Sequence, residues 1–241
     1  MSFGRSNRKS CSLIGLWRST QAYKVKDPHK DVAIIKRMRA LVQEYPKWGC
    51  PMVHDVLKRE GLVVNAKRTE RIYYREERLS LRRRKRRRKA PHTRITLPEV
   101  SRPNERWAMD FVHDSLWNGR KLRTLTMIDI FTKESLKIEV ATSISGERVV
   151  RALNQVILDF IRPGKPVDNY YIASFNSKFR NECLNSHYFD SIAEAKMLVE
   201  DWRKKYNEFR PHRTLKGLTP KVFSDQFKSK STQNPNLAMV H

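Results

Sequence analysis

Residues 162–180 read Arg162-Pro-Gly-Lys-Pro-Val-Asp-Asn-Tyr-Tyr-Ile-Ala-Ser-Phe-Asn-Ser-Lys-Phe-Arg180 and run on into Asn181-Glu-Cys-Leu-Asn185. The stretch opens on a Pro-Gly-Lys-Pro connection and continues as a helix whose mouth lies near Asp168 and which carries Ala173. Just upstream, a helix is predicted from Gly146, capped by Ser145, with Val149, Leu153, Val156, Ile157 and Phe160 on one face. It ends near Phe160, so residues 161–167 leave seven positions before the next helix. A mean strand takes about 5–6 residues and a mean helix about 11–12, so only a connection fits there.

Working outward on the N-terminal side, Trp107–His113, Leu122–Ile130 and Leu136–Ala141 are predicted as three strands that precede the Gly146 helix. On the C-terminal side, Ser191-Ile-Ala-Glu194 is a capping box, followed by Ala195, Leu198, Trp202 and Tyr206 at helical spacing. Trp202, Tyr206 and Phe209 are expected in the core, not as platforms for bases. Arg210 and His212 fit either a basic tip beside DNA or a turn locked by hydrogen bonds. Residues after about Gln226 are expected to be disordered.

The N-terminal third reads differently. Ile34/Ile35, Met38 and Leu41/Val42 recur at intervals of three and four within residues 29–44, which makes one apolar helical face. A second helix is predicted from Cys50 to Glu60 with Val53, Val56 and Leu57 inward and Gly61 as its stop. A third runs from an Asn65 N-cap to Arg78 and is studded with Lys67, Arg68, Arg71, Arg75 and Arg78. A basic final helix after a glycine turn is the outline of a helix-turn-helix module, whose last helix enters the major groove. A small basic helical domain without sequence preference has the same outline. Residues 10–23 look like the end of a further helix-turn-helix.

The 50 Lys+Arg against 25 Asp+Glu give a formal net charge of +25, which points to a polyphosphate partner. A ribosome-associated protein or a basic membrane-surface protein would show the same balance. Arg82, Arg83, Arg84, Lys85, Arg86, Arg87, Arg88 and Lys89 form an unbroken cationic run. Such a run cannot fold alone and reads as a linker that condenses onto a phosphate backbone, in preference to a nuclear-localisation signal. No apolar run approaches the roughly 18 residues of a membrane span. Cys11, Cys50 and Cys183 are widely spaced with no CxxC pair, which fits a reducing cytoplasm and neither a disulfide framework nor a zinc site.

Several separate blocks, in order, resemble the DDE transposases of bacterial insertion sequences, a branch of the retroviral-integrase-like superfamily. These are Tyr45-Pro-Lys-Trp-Gly-Cys50, Leu57-Lys-Arg-Glu-Gly61, the 162–185 stretch, and Asn207-Glu-Phe-Arg-Pro-His-Arg-Thr-Leu-Lys-Gly-Leu-Thr-Pro220. Trp48, Cys50 and Thr69 depart from the pattern. The resemblance implies an α/β chain: a helical helix-turn-helix DNA-binding region over 1–80, a basic linker over 81–101, an RNase H-like integrase core over 102–226, and a tail over 227–241. It also implies a cytoplasmic, nucleoid-associated protein that binds terminal inverted repeats and target DNA, as a homo-oligomer or in a mixed multimer with an intact transposase. Lys165, Lys178 and Arg180 join the basic residues above as DNA contacts.

By the same resemblance, Asp110 is the first carboxylate of the DDE triad, and Asp129 is a strand-end residue outside the chemistry. The third member would be a glutamate where Ala173 stands. The second would sit at the end of a fourth strand, followed by a further helix and strand, for which residues 161–167 leave no room. An internal deletion near 160–167 is therefore expected, making the core incomplete and exposing the edge of the strand that carries Asp110. The family's in-line attack on phosphodiesters uses two Mg²⁺ (or Mn²⁺) ions held by converging carboxylates, and one aspartate cannot hold two. Asp168 and Glu182 are badly placed substitutes: nine positions beyond Ala173, Glu182 lies about half a revolution away and roughly 13 Å along. Asp114 and Asp159 are loose alternatives. A weak, incomplete metal site at Asp110 and a catalytically defective copy follow.

Overall fold

The structure, a computed structural model, describes residues 7–23, 31–80, 100–159 and 169–233. The cationic run 82–89, the Pro-Gly-Lys-Pro block with Lys165, Asp168 and the last eight residues lie outside these spans.

Helices α1 (Asn7–Leu13) and α2 (Arg18–Gln21) turn about Gly15, whose φ of 65° is left-handed. Helices α3 (Val32–Glu44), α4 (Cys50–Arg59) and α5 (Ala66–Arg71) follow. Their apolar stripes meet in one cluster of Ile34, Met38, Leu41, Val53, Val56 and Leu57, closed by Trp48, Ile72 and Tyr73. Asn65 caps α5 by accepting the Lys67 N–H at 2.9 Å, as its position before the run dictates. The predicted third helix is not uniform, because Ile72–Glu76 is wound as a π-turn and Arg78 is left-handed at φ 51°. That turn brings both Ile72 and Tyr73 into the cluster.

Strands β1 (Trp107–Ser115), β2 (Lys121–Asp129) and β3 (Ser135–Ala141) form an antiparallel sheet in the order β1-β2-β3. Alternation splits the central strand between two layers. Leu125 and Met127 meet Trp107, Ala152 and Val156 on the face covered by α6 (Gly146–Asp159). Leu122 and Ile128 face α7 (Asn169–Glu182) and α8 (Ile192–Glu208) with Ile172, Phe175, Phe179, Val199 and Tyr206. Ser191 caps α8 by accepting the Glu194 N–H, while the Glu194 carboxylate accepts from Asp190, one residue earlier than the usual reciprocal bond.

Composition placed the start of a disordered tail at residue 227, but α9 (Pro220–Gln233) continues to Gln233. Two rings explain the continuation: Phe223 and Phe227, one turn apart, both pack on Phe131 at centroid distances of 5.5 and 5.2 Å.

Among the described residues β1 is an edge strand. The Asp110 and Val112 carbonyls face β2, where they accept the Thr126 and Thr124 hydroxyls. By antiparallel alternation, Phe111 and His113 turn their backbone groups to the open side. Three side chains blunt that edge: the Asp110 carboxylate accepts the Phe111 N–H, Asp114 accepts that of Ser115, and Arg180 donates to the His113 carbonyl. Phe111 remains 45% exposed at its centre.

The helical region and the core meet through a stack of rings. Tyr45 and Trp48 lie parallel with centroids 4.0 Å apart, and Phe209 stacks on both at 5.6 and 5.8 Å. Arg59 lies over the Phe209 ring, 5.1 Å from its centroid, and donates to its carbonyl at 2.9 Å. Two aromatic contacts at about 0.5–1.5 kcal/mol each make Phe209 the main coupling residue. Phe209→Ala is expected to lower stability by about 2 kcal/mol and to split one urea transition into two, read by far- and near-ultraviolet circular dichroism. A single transition of unchanged midpoint would show that the bodies are joined elsewhere.

Candidate functional site

Asp110 is exposed on β1, directly opposite Thr126, on the side that faces α7. Its Oδ2 accepts from Asn176 Nδ2 at 2.9 Å, its Oδ1 accepts from Phe111 at 2.8 Å, and the Thr126 hydroxyl donates to Asn176 Oδ1 at 2.8 Å. Neutral donors thus engage both carboxylate oxygens. Ala173 is exposed, about one turn before Asn176 on α7, and so flanks Asp110's helix partner. Sequence reading recognised Asn176 as part of a motif but missed its bond to Asp110. The signal was the spacing of three, which puts residues 173 and 176 on neighbouring parts of one face.

Among the described side chains no second acid joins them. Asp114 is bound to its own neighbour's N–H. Asp129 is buried in the β2–β3 turn, where it accepts from the Thr132 N–H and hydroxyl; burial pushes its carboxyl upward against those bonds. Glu182 is taken by Arg210, which clamps it through Nε and Nη2 at 2.6–3.1 Å with both groups mostly buried. The side chain of Asp159 and all of Asp168 lie outside the described residues. Among those described, no three His, Cys, Asp or Glu side chains converge as a metal would require. Two Mg²⁺ ions need several converging oxygens, and Asp110 with an amide and a hydroxyl beside it does not fit that demand.

The predicted DNA contacts separate into two groups. Lys67 and Arg75 are exposed on the helical region. Arg68 and Arg71 instead both bind Asp31; burial pushes that carboxyl up, but the two guanidinium groups outweigh it and hold it below its ordinary value. On the core, Arg180 is exposed at the β1 edge, while Lys178 is half-buried and pushed down to about 8 by burial and by Arg210.

Of the two readings of Arg210 and His212, the locked turn is the observed one. His212 is 3% exposed, its ring packs edge-on against Tyr206 at 4.8 Å, and its backbone N–H donates to the Leu218 carbonyl. Its Nε2 has no hydrogen-bond partner. Burial first, then the nearby Arg210, Lys178 and Lys133, drive its pKa down to about 2. Gly217 closes the turn at φ 83°, and any Cβ there would meet the Asp55 carboxyl at 3.2–3.4 Å.

Two families, both described as integrase core domain, match residues 100–168 and 154–220. The chain is 38% identical to an uncharacterized 31.7 kDa protein of insertion element IS407 from Burkholderia multivorans, covering 93% of this chain and 92% of that one. It is 34% identical to a 39.2 kDa protein of IS476 from Xanthomonas euvesicatoria, covering 95% and 75%. InsK of Escherichia coli, whose name makes it a transposase of IS150, is 25% identical over 87% and 90%. The magnesium-bound catalytic core of HTLV-2 integrase, solved as a trimeric form, superposes with a TM-score of 0.43 and 14% identity, covering 51% of this chain and 97% of that one. The matches define an integrase core preceded by a helical region. The chain belongs to the insertion-sequence transposases of the DDE/integrase superfamily, and with them to the machinery of DNA transposition. The IS407 alignment spans 256 positions, more than the 241 residues of this chain, so that relative carries positions absent here.

His212 sets a pH dependence. Its folded pKa lies below the unfolded one, so between the two the unfolded chain binds the extra proton and stability falls as pH drops below about 6.5. Wild-type protein is expected to lose stability between pH 7.5 and 5 in urea titrations, and His212→Phe to show a flatter slope. Parallel slopes would mean that His212 titrates normally in the fold.

Proposed function

We propose that this chain is a transposase-lineage protein that binds the ends of its element and is defective in cutting and joining them. Asp110 carries the reading: its carboxylate is held by Asn176 and Phe111, and among the described residues no second acid converges on it. The IS407 relative carries positions that this chain lacks, which supports a deletion that removed the second aspartate. With Ala173 in place of the glutamate, two of three carboxylates are missing. Divalent metal belongs to the chemistry of intact relatives; here Asp110 would offer it one ligand.

DNA binding rests on residues apart from that site. Lys67 and Arg75 on the helical region, Lys178 and Arg180 on α7, and the sequence elements Arg82–Lys89 and Lys165 supply cations for the phosphate backbone. The retained aromatic junction with Phe209 keeps the helical region attached to the core. A chain that holds element ends without cutting them would compete with an intact transposase or enter its multimers.

A strand-transfer assay with Mg²⁺ or Mn²⁺ and a labelled terminal-repeat duplex is expected to yield no product from the wild type, nor from Ala173→Glu, because the second aspartate is absent as well. Wild-type product that disappears in Asp110→Ala would overturn the proposal. Duplex binding should survive and weaken by roughly 10³-fold between about 50 and 200 mM salt. A flat salt response would remove the phosphate-clamp role of Arg82–Lys89.

A further inference from the structure

At the tip of the β1–β2 hairpin, Trp117 is 74% exposed, and Tyr188, from the α7–α8 connection, is 82% exposed. Their rings stand perpendicular with centroids 5.6 Å apart. Two large apolar rings held in water need a reason, and both backbones are rigidly seated. The Trp117 N–H donates to the Phe189 carbonyl at 2.9 Å, and Leu116 and Arg120 close the tip with a 2.9 Å bond. Asn118 Oδ1 accepts the Arg120 N–H, and Leu116 and Phe189 are buried beneath. The rings border a groove of about 460 Å³ between the end of β1 and the segment 184–189.

The charge around this corner favours a polyanion. From Ser115 through Ile128 the chain carries Arg120, Lys121 and Arg123 and no acid. The bordering acids are Asp114, whose carboxylate accepts the Ser115 N–H, and Asp190. Exposed aromatic faces flanked by cations are the means by which proteins hold unpaired bases, since every base presents a π-face once its stacking neighbour is gone. Paired bases inside a duplex have both faces covered. A right-angled pair of rings accepts one base against a face while the second ring bounds it edge-on.

We propose that Trp117 and Tyr188 form a stacking platform for an unpaired base of DNA, with Arg120 and Lys121 holding the adjoining phosphates. The platform rests on the DNA-binding reading above and adds a site for single-stranded or frayed ends, separate from Asp110.

The full-length chain would be titrated with a fluorescent paired duplex, the single strand of equal length, and the same strand with abasic positions. Trp117→Ala and Tyr188→Ala are expected to weaken single-strand binding by roughly 5- to 100-fold each while leaving duplex binding within about twofold. Trp117→Phe should retain most of the affinity, and abasic substitution should bring the wild type down to the level of the alanine variants. Both rings are exposed, and an unchanged thermal transition would verify folding. Equal losses on duplex and single strand, or no loss on either, would overturn the platform while leaving duplex binding intact. A change in mass by light scattering in the variants would also overturn it, by showing that the rings contact a second protein chain. Failure of the wild type to bind any of the three DNAs would instead sink the proposed function itself.

Discussion

The fold is fastened at Arg210. Its side chain is nearly enclosed, 10% exposed, and grips Glu182 at the end of α7 through two nitrogens. A buried guanidinium without its carboxylate would leave an uncompensated charge at a cost of about 3–5 kcal/mol, so neither partner can be lost alone. The residues around Arg210 reach every other layer. Asn207 accepts the Ser135 N–H and donates to its carbonyl, which pins the start of β3. Tyr206 packs against Phe175 of α7, Phe209 enters the aromatic stack of the helical region, and Gly217 lies against Asp55 of α4. One short segment therefore sets the distance between sheet, helices and helical region at once.

That arrangement explains how the core holds its packing. The sheet depends on α7 and α8 for one cover and α6 for the other, and both covers are present. The fastening at Arg210 lies at the end of α7 remote from Ala173, so a change at residue 173 leaves the clamp untouched.

Much of this was legible in the sequence because local chemistry and tertiary fate agreed. Alternation placed β1, β2 and β3; periodicity placed α3 and α4; Asn65 and Ser191 announced their helices by the bonds they make. The π-turn at Ile72–Glu76 was not legible, since it arises from fitting Ile72 and Tyr73 into one cluster, a tertiary demand that no pattern of letters carries. The extension of α9 was missed for a similar reason: Phe227 looked like an isolated ring in a polar tail, and its partner, Phe131, is far away in sequence. At the candidate site, the strand that carries Asp110 and the helix that carries Ala173 could be read from the sequence. The Asp110–Asn176–Thr126 chain could not, because it joins three elements through side-chain hydrogen bonds. Arg68 and Arg71 show the limit of reading charge alone, since a cation's partner, here Asp31, is set by folding.

The bond between Asp110 and the Phe111 amide has an evolutionary consequence. In a chain released from selection for cutting, a former active-site acid should drift like any other surface residue. Here its loss would uncover a strand amide next to a solvent-facing phenyl ring, the kind of edge on which a second chain can pair. On the proposed reading, a carboxylate that entered the lineage for chemistry would then be kept for solubility, and its presence would be no record of recent activity.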